Sequence, residues 1–354
     1  MFPLYKAVLL SESCALWHVL HPGTMANIAL PKDPPPSNHQ SHNVLLTLPR
    51  TASHLLVRML NLPNQPSLSR HPRDGYFFKL SLRYRYHHDT YTRPIAQWTD
   101  QEYEELNATL QTDLATWEKW VQDAELIGNG TFVKEHINFM LRPDAESDFL
   151  YAVGQETEGN PTCIPDTFLQ VVRTTFLIRH PGLVLPSLIR AALDLEGIEV
   201  VLSPASEQAM RCEASFRWHV ALYKHLMSLS TYPCKSHDAG ISCPIVLDAS
   251  DLTNPALVKK YAAAIRLDRN TTQFKWESGN ADGLGGMEAR MKDTLLGSEG
   301  VVVEKLVGHK RSYIEALDEK YIEEFGSVLG ARAIRLIKDA MADYQWLFDR
   351  RMQL

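Results

Sequence analysis

Residues 43–60, NVLLTLPRTASHLLVRML, join a short apolar run to an amphipathic segment. The continuous apolar residues of NVLLTL predict a buried parallel strand, and the spacing of apolar residues in SHLLVRML predicts a helix. Arg50, Thr51, Ser53 and His54 stand between the two, and the junction contains no glycine. A strand that turns sharply into a helix leaves backbone N–H groups unpaired at the positive end of the helix dipole. The junction therefore predicts an anion site.

Polar residues at two further strand ends decide how that junction is interpreted. Taken alone, the junction between strand and helix favours a simpler interpretation, a polar N-cap on a core helix. The segment FLIRHPGLVLPS, however, puts Arg179 at a strand end and Ser187 on the following helix, where both can bind a second phosphate. FVKEH puts Lys134, Glu135 and His136 at the end of a third strand. Together the three segments favour a shared anion site.

Strands and helices alternate along most of the chain. This order predicts an α/β fold, a three-layer sandwich whose central, mainly parallel sheet is flanked by helices on both faces. Such a sheet binds ligands at the carboxyl ends of its strands. We expect residues 1–42, which include PKDPPPSNHQSHN, to form a poorly packed extension and linker, and residues 43–354 to form a single domain. The predicted strands are 44–48, 131–136, 174–180 and 244–252, and the predicted helices are 99–128, 181–194, 207–231, 254–266 and a C-terminal packing helix.

The amino-acid composition excludes some classes of protein. The chain has 354 residues, 45% of them hydrophobic, and a formal net charge of −6, which excludes an overall basic nucleic-acid binder. No run approaches the length of a membrane span, and residues 1–20 lack the charged start and small-residue cleavage pattern of a secretory leader, so none is expected. Five cysteines without a CxxC pair favour a reducing compartment, so we expect a cytoplasmic protein with no membrane or nucleic-acid partner.

Two familiar site types are not predicted. The nucleotide-binding pattern GxxxxGK[ST] is absent, because DGLGGME at 282–288 is not followed by Lys-Ser or Lys-Thr. His87 and His88 lack a third ligand at metal-binding spacing, so no metal is expected. The aromatic and basic segment 73–93 fits two interpretations equally, the lining of an acceptor pocket or a cover over the sheet.

Four segments resemble, in order along the chain, the motifs of the sulfotransferases. TLPRTASHL is similar to the 5′-phosphosulfate loop TYPKSGTTW, FVKEH to the KTH segment of the cytosolic branch, and FLIRHPGLVLPS to the 3′-phosphate element YxxRNPKDVxxS. VLDASDLTNP resembles the later YEDL…P segment, so the resemblance spans roughly residues 44–270. The wording PRTAS, KEH and RHP is that of fungal sulfotransferase-like proteins, many of them tied to secondary metabolism. The resemblance implies a P-loop-like fold.

The resemblance also implies a reaction, the transfer of a sulfuryl group from 3′-phosphoadenylyl sulfate (PAPS) to a hydroxyl of a small metabolite. His136 matches the family's base, and Glu135 is its rival because other branches use a carboxylate. Arg50 and Lys134 would stabilise the leaving phosphate. A homodimer is a further expectation. The residues implied for PAPS binding are Arg50, Thr51, Ala52, Ser53, His54, Arg179 and Ser187.

The sequence departs from the family's pattern in two places. Ala52 replaces the loop glycine, and a left-handed conformation there would cost about 1 kcal/mol. The C-terminal RKGxxG loop is missing, and GHKRS at 308–312 either replaces it or forms an exposed loop. Two other functions therefore stay open: a repurposed protein that catalyses a cyclisation or elimination, and a non-catalytic nucleotide-binding protein. Arg179 and Ser187 favour the transferase, because a protein that had lost the donor need not keep a second phosphate site.

Overall fold

Five parallel strands form the sheet of this protein, seen here in a computed structural model that describes residues 41–72, 74–152, 159–230, 232, 244–280, 282, 284–307 and 314–354. The strands lie side by side in the order β2–β3–β1–β4–β5. The predicted parallel α/β sheet is confirmed, and the short edge strand β2 is an addition that the sequence pattern did not predict. The bounds are β1 His42–Thr47, β2 Leu68–Ser69, β3 Gly130–His136, β4 Val172–Ile178 and β5 Ile245–Asp248.

The register of the sheet aligns the carboxyl ends of its three middle strands. Thr47 at the end of β1 pairs with His136 at the end of β3, and Leu46 pairs with Phe176 of β4. Strands β3 and β2 lie on one side of β1, and strands β4 and β5, which follow β3 in the chain, lie on the other side. The strand order thus reverses beside β1, and open α/β sheets bind ligands at such a point.

Helices cover both faces of the sheet because its strands are apolar on both sides. On one face, Leu45 and Phe132 pack with α1 and α10; on the other, Val44 and Phe176 pack with α3, α9 and α13. The helices are α1 Ser53–Leu60, α2 Lys79–His87, α3 Asp100–Leu126, α4 Pro143–Tyr151, α5 Asp166–Leu169, α6 Pro181–Glu196, α7 Ile198–Leu202, α8 Pro204–Glu213, α9 Arg217–Ser228, α10 Pro255–Ala264, α11 Gly286–Leu296, α12 Val303–Leu306 and α13 Ile314–Phe348, which Gly326 interrupts.

One predicted helix is wrong in its extent. The pattern at 207–231 predicts a single helix, whereas the structure has two, α8 and α9. At the break, the side chain of Ser215 accepts a hydrogen bond from the backbone N–H of Arg217, a local turn that competes with a continuous helix. The other predicted helices lie where expected, including α3, which begins with a capping box between Thr99 and Glu102.

Three expectations about the whole chain stay predictions. Residues 1–40 and 308–313 lie outside the described residues, so the linker at 1–42, the single domain at 43–354 and the basic segment GHKRS are not tested. Among the helices of the described ranges, none combines the length and apolarity needed to cross a bilayer. The cytoplasmic location likewise stays a prediction.

Candidate active site

The junction between β1 and α1 is held in a strained conformation. Arg50 and Ala52 have φ values of 67° and 66°, in the left-handed region that non-glycine residues rarely adopt. Each costs about 1–2 kcal/mol, and such strain gathers at functional sites. No side chain of the described residues caps α1, and while Leu55 and Leu56 donate to the carbonyl of Ala52, the N–H groups of Ser53 and His54 are left for a ligand. Thr51 is buried and donates to the carbonyl of Leu48 at 2.8 Å, which tightens the turn.

Arg50, Ser187 and Arg179 converge beside this junction from three elements. Arg50 Nε donates to Ser187 Oγ at 2.9 Å, and Arg179 Nη1 donates to the carbonyl of Arg50 at 2.7 Å. Arg179 also donates to the carbonyl of Lys305, but its buried Nε has no hydrogen-bond partner among the described residues. Burial, together with the charge of Arg50, lowers the pKa of Arg179 to about 10. An anion bound beside Arg179 would offset the effect of the Arg50 charge on its guanidinium.

Lys134 lies against His54 and Tyr76 rather than in open solvent. Its Nζ is 3.0 Å from His54 Nδ1 and 4.4 Å from the centre of the Tyr76 ring, a cation–π distance. Lys134 is 1% exposed, and burial lowers its pKa to about 7. Burial and the charge of Lys134 lower the pKa of His54 well below its ordinary value. His54 is therefore neutral near pH 7.

His136 is oriented through the end of β1. Its Nδ1 is 2.6 Å from Thr47 Oγ1, and that hydroxyl donates to the carbonyl of Glu135 at 3.2 Å. Thr47 therefore accepts from Nδ1–H of His136, which leaves the lone pair on Nε2 free to accept a proton. The hydroxyl of Tyr76 lies 3.4 Å from that Nε2. Burial lowers the pKa of His136 well below its ordinary value, so the ring is neutral at pH 7.

Glu135 lies on the opposite face of β3 from Lys134 and His136, because side chains alternate along a strand. It is fully buried and accepts hydrogen bonds from the backbone N–H groups of His136, at 2.9 Å, and Phe78, at 3.3 Å. Burial raises its pKa to about 8, against the opposing effect of those two hydrogen bonds. The two candidate bases are thus separated by the strand itself.

Tyr76 is a site residue that sequence reasoning did not identify individually. Asp74, Gly75 and Tyr76 all have positive φ and pair with Lys134 in β3, whose N–H donates to Asp74 and whose carbonyl accepts from Tyr76. A Cβ at Gly75 would lie 2.0 Å from the carbonyl oxygen of Lys134, so only glycine fits there. The signal available was DG at 74–75, a turn pair beside an aromatic residue.

A cavity of about 1180 Å³ joins most of the candidate residues. Arg50, Ala52, Ser53, His54, His136, Arg179 and Ser187 line it, whereas Thr51, Lys134 and Glu135 do not. Helix α11 adds a wall that the sequence analysis missed, where Met291 accepts from Arg50 through its carbonyl and its sulfur. Nine Arg or Lys residues line the cavity against five Asp or Glu, so it favours anions. Within the described ranges no three His, Cys, Asp or Glu residues are placed to hold a metal.

The fold and the cavity define an α/β protein with a strained turn and a cavity rich in Arg and Lys at the carboxyl rim of a parallel sheet. The chain is 31% identical over 330 residues to a protein of Metarhizium rileyi (strain RCEF 4871) named sulfotransferase ppzF, an alignment that covers 87% of this chain and 95% of the relative. A protein of the same name from Metarhizium majus (strain ARSEF 297) is 31% identical over 342 residues, covering 88% and 97% of the two chains. The chain belongs to this fungal sulfotransferase-like family. No family model and no solved structure matches it.

Proposed function

We propose that this protein transfers a sulfuryl group from PAPS to a hydroxyl of a small metabolite. The observation that carries the proposal is the convergence of Arg50, Arg179 and Ser187 with the uncapped start of α1 in one cavity that also contains His136. The names of the two relatives support a transferase of this class.

The donor end of the cavity, defined by Arg50, Ser53, His54, Arg179 and Ser187, fits the two phosphates of PAPS. The unpaired N–H groups at the start of α1 are suited to the 5′-phosphate, and Arg179 with Ser187 to the 3′-phosphate. The unpartnered Nε of Arg179 is a buried donor that an oxyanion would satisfy. Bound PAPS supplies the activated sulfuryl group.

The acceptor end, defined by Tyr76, Leu82, His136, Phe139 and Glu213, fits the hydroxyl-bearing molecule. His136 Nε2 takes the acceptor proton as a neutral base, while Arg50, which lines the cavity, stabilises charge growing on the leaving oxygen. Lys134 does not line the cavity and would add only the field of its charge from behind His54 and Tyr76. Sulfuryl transfer, like phosphoryl transfer, depends mainly on positioning and on such charges. Glu135 stays the rival base, although its carboxylate faces away from the cavity.

Calorimetric titration with adenosine 3′,5′-bisphosphate tests this function first. Micromolar binding that Arg179→Ala weakens, followed by transfer from PAPS to a phenol, is the expected result. No binding by the full chain would remove the transferase from consideration.

One observation favours a different chemistry on the same fold. Lys134, whose pKa burial lowers to about 7, lies beside His54 and Tyr76, and Tyr76 lies beside His136, so one group of this cluster can exchange a proton near neutral pH without any donor. Such a cluster suits the alternative of a cyclisation or elimination on a bound intermediate. A non-catalytic nucleotide-binding protein would bind the bisphosphate but show neither sulfuryl transfer nor conversion of an intermediate.

A further inference from the structure

Glu213, the last residue of α8, is a buried carboxylate at the acceptor end. It is 5% exposed and lines the main cavity. Together with Leu188 it also lines a second, adjoining cavity of about 60 Å³. Its single hydrogen bond among the described residues comes from the hydroxyl of Tyr86, at 2.5 Å, and no described Arg, Lys or His forms an ion pair with it. One face of the carboxylate is therefore available to a ligand.

The small cavity carries more negative than positive charge. Asp89, Glu196 and Glu213 line it, and the guanidinium that lines it, that of Arg85, is already bound at 2.7 Å to Glu146. Tyr91 also lines this cavity, and its buried hydroxyl has no hydrogen-bond partner within the described ranges. The cavity thus combines two carboxylates lacking a cation with an unsatisfied hydroxyl.

A bound cation would remove the energetic cost of this arrangement. A buried carboxylate without a partner is expensive, and burial accordingly raises the pKa of Glu213 to about 7. Burial and the charge of Glu213 raise that of Glu196 to about 7 as well. A positively charged nitrogen next to Glu213 would form a charge-assisted hydrogen bond, about twice as strong as a neutral one.

The main cavity can hold the rest of such a molecule. Leu82, Phe139 and Leu188 provide apolar walls between polar residues, and His136 lies in edge contact with Phe139 at 5.0 Å between ring centres. Leu188 and Glu213 line both cavities, so a molecule in the main cavity can contact Glu213 directly, and Glu196 lies beyond it in the small cavity.

We infer that the acceptor carries a protonated amine, which Glu213 binds with support from Glu196. This inference rests on the proposed function and names the acceptor's class, a hydroxylated amine with an apolar body.

Matched pairs of phenols test the amine directly. We would measure, by calorimetry in the presence of adenosine 3′,5′-bisphosphate, the binding of tyramine against 4-ethylphenol and of 2-(3-hydroxyphenyl)ethylamine against 3-ethylphenol. We expect the full chain to prefer the amine of at least one pair by about tenfold or more, the worth of a charged hydrogen bond. Glu213→Gln should reduce that preference to about twofold or less, and Glu196→Gln should reduce it by a smaller factor.

Glu104→Gln is the matched control, since Glu104 lies exposed on α3 outside both cavities; its preference should equal that of the unmodified chain. Equal affinity within each pair, no binding of either amine, or a preference unchanged in Glu213→Gln would overturn the inference. If Glu213→Gln does not fold, an undiminished preference in Glu196→Gln overturns it instead. A Glu213-dependent preference in a chain that fails to bind the bisphosphate would leave the cation site standing and remove the proposed transfer.

Discussion

The donor end and the acceptor end of the cavity are assembled in different ways. At the donor end, Arg50, Ser53 and His54 come from the turn between β1 and α1, and Arg179 and Ser187 come from the end of β4 and the helix α6 that follows it. At the acceptor end, Tyr76, His136 and Glu213 come from three segments far apart in the chain. The donor end therefore depends on local backbone geometry, while the acceptor end depends on how distant segments pack. Mutations at the two ends should separate donor binding from acceptor chemistry.

His136→Ala should give the largest effect and mark the acceptor end as the site of chemistry. Loss of a general base lowers turnover by about 10²–10⁴. Binding of adenosine 3′,5′-bisphosphate should stay nearly intact, because His136 belongs to the acceptor end. Turnover is measured with a phenol as acceptor, from the release of bisphosphate from PAPS and the formation of the sulfated phenol. Affinity for the bisphosphate is measured by calorimetry.

Glu135→Gln is the discriminating companion variant. Because Glu135 faces away from the cavity, its removal should lower turnover less than removal of His136. The opposite ranking, with Glu135→Gln inactive and His136→Ala near normal, would transfer the role of base to the carboxylate.

Arg179→Ala should weaken the donor end alone. A charged hydrogen bond to phosphate is worth about 1.5–3 kcal/mol, so the dissociation constant of the bisphosphate should rise roughly ten- to a hundredfold. Arg179→Lys should recover part of this loss, because lysine lacks the guanidinium fork. Arg173→Ala is the control on the same strand, since Arg173 lies at the far end of β4 and donates to Ala264. Equal losses in both variants would contradict a phosphate role for Arg179.

The pH dependence of stability tests whether Glu135 is buried as described. Burial raises its folded pKa to about 8 from 4.5, so the folded state binds the proton more tightly than the unfolded state. This contribution to stability is complete below pH 4.5 and is lost as the pH rises through about 8. The free energy of unfolding of the unmodified chain, relative to Glu135→Gln, should therefore fall across that window by at most about 1.4 kcal/mol per pH unit. Urea unfolding at several pH values measures it, and a constant difference would contradict the burial of the carboxyl group.

Ala52→Gly should give the smallest effect. It should raise the free energy of unfolding, whereas the same substitution inside a helix lowers it. Glycine removes the left-handed penalty at φ 66° of about 1–2 kcal/mol, while its greater freedom in the unfolded chain offsets about 0.4–1 kcal/mol. We expect a gain between zero and about 1.6 kcal/mol in the free energy of unfolding. Ala108→Gly, exposed within α3, should instead lose about 1 kcal/mol. Similar losses at both positions would show that residue 52 is not strained.

Local patterns in the sequence predicted the sheet and the donor end. Apolar runs ending in polar residues gave β1, β3, β4 and β5, and parallel strands bring their carboxyl ends to one edge. Arg50 and Arg179 could be placed together for that reason alone. The exact length of helices was less predictable, as the break between α8 and α9 illustrates, because a local hydrogen bond between the Ser215 side chain and the backbone competes with a continuous helix.

The sequence by itself determined the α/β class, the strand ends and the residues of the two proposed phosphate positions, because each depends on a few neighbouring residues. Only the tertiary structure decided that His136 faces the cavity and Glu135 the core, that Tyr76 covers Lys134, and that Glu213 reaches the acceptor end. These depend on strand register and on contacts between segments more than 50 residues apart. No local propensity encodes such contacts, because they follow from which faces of the sheet and helices are buried together.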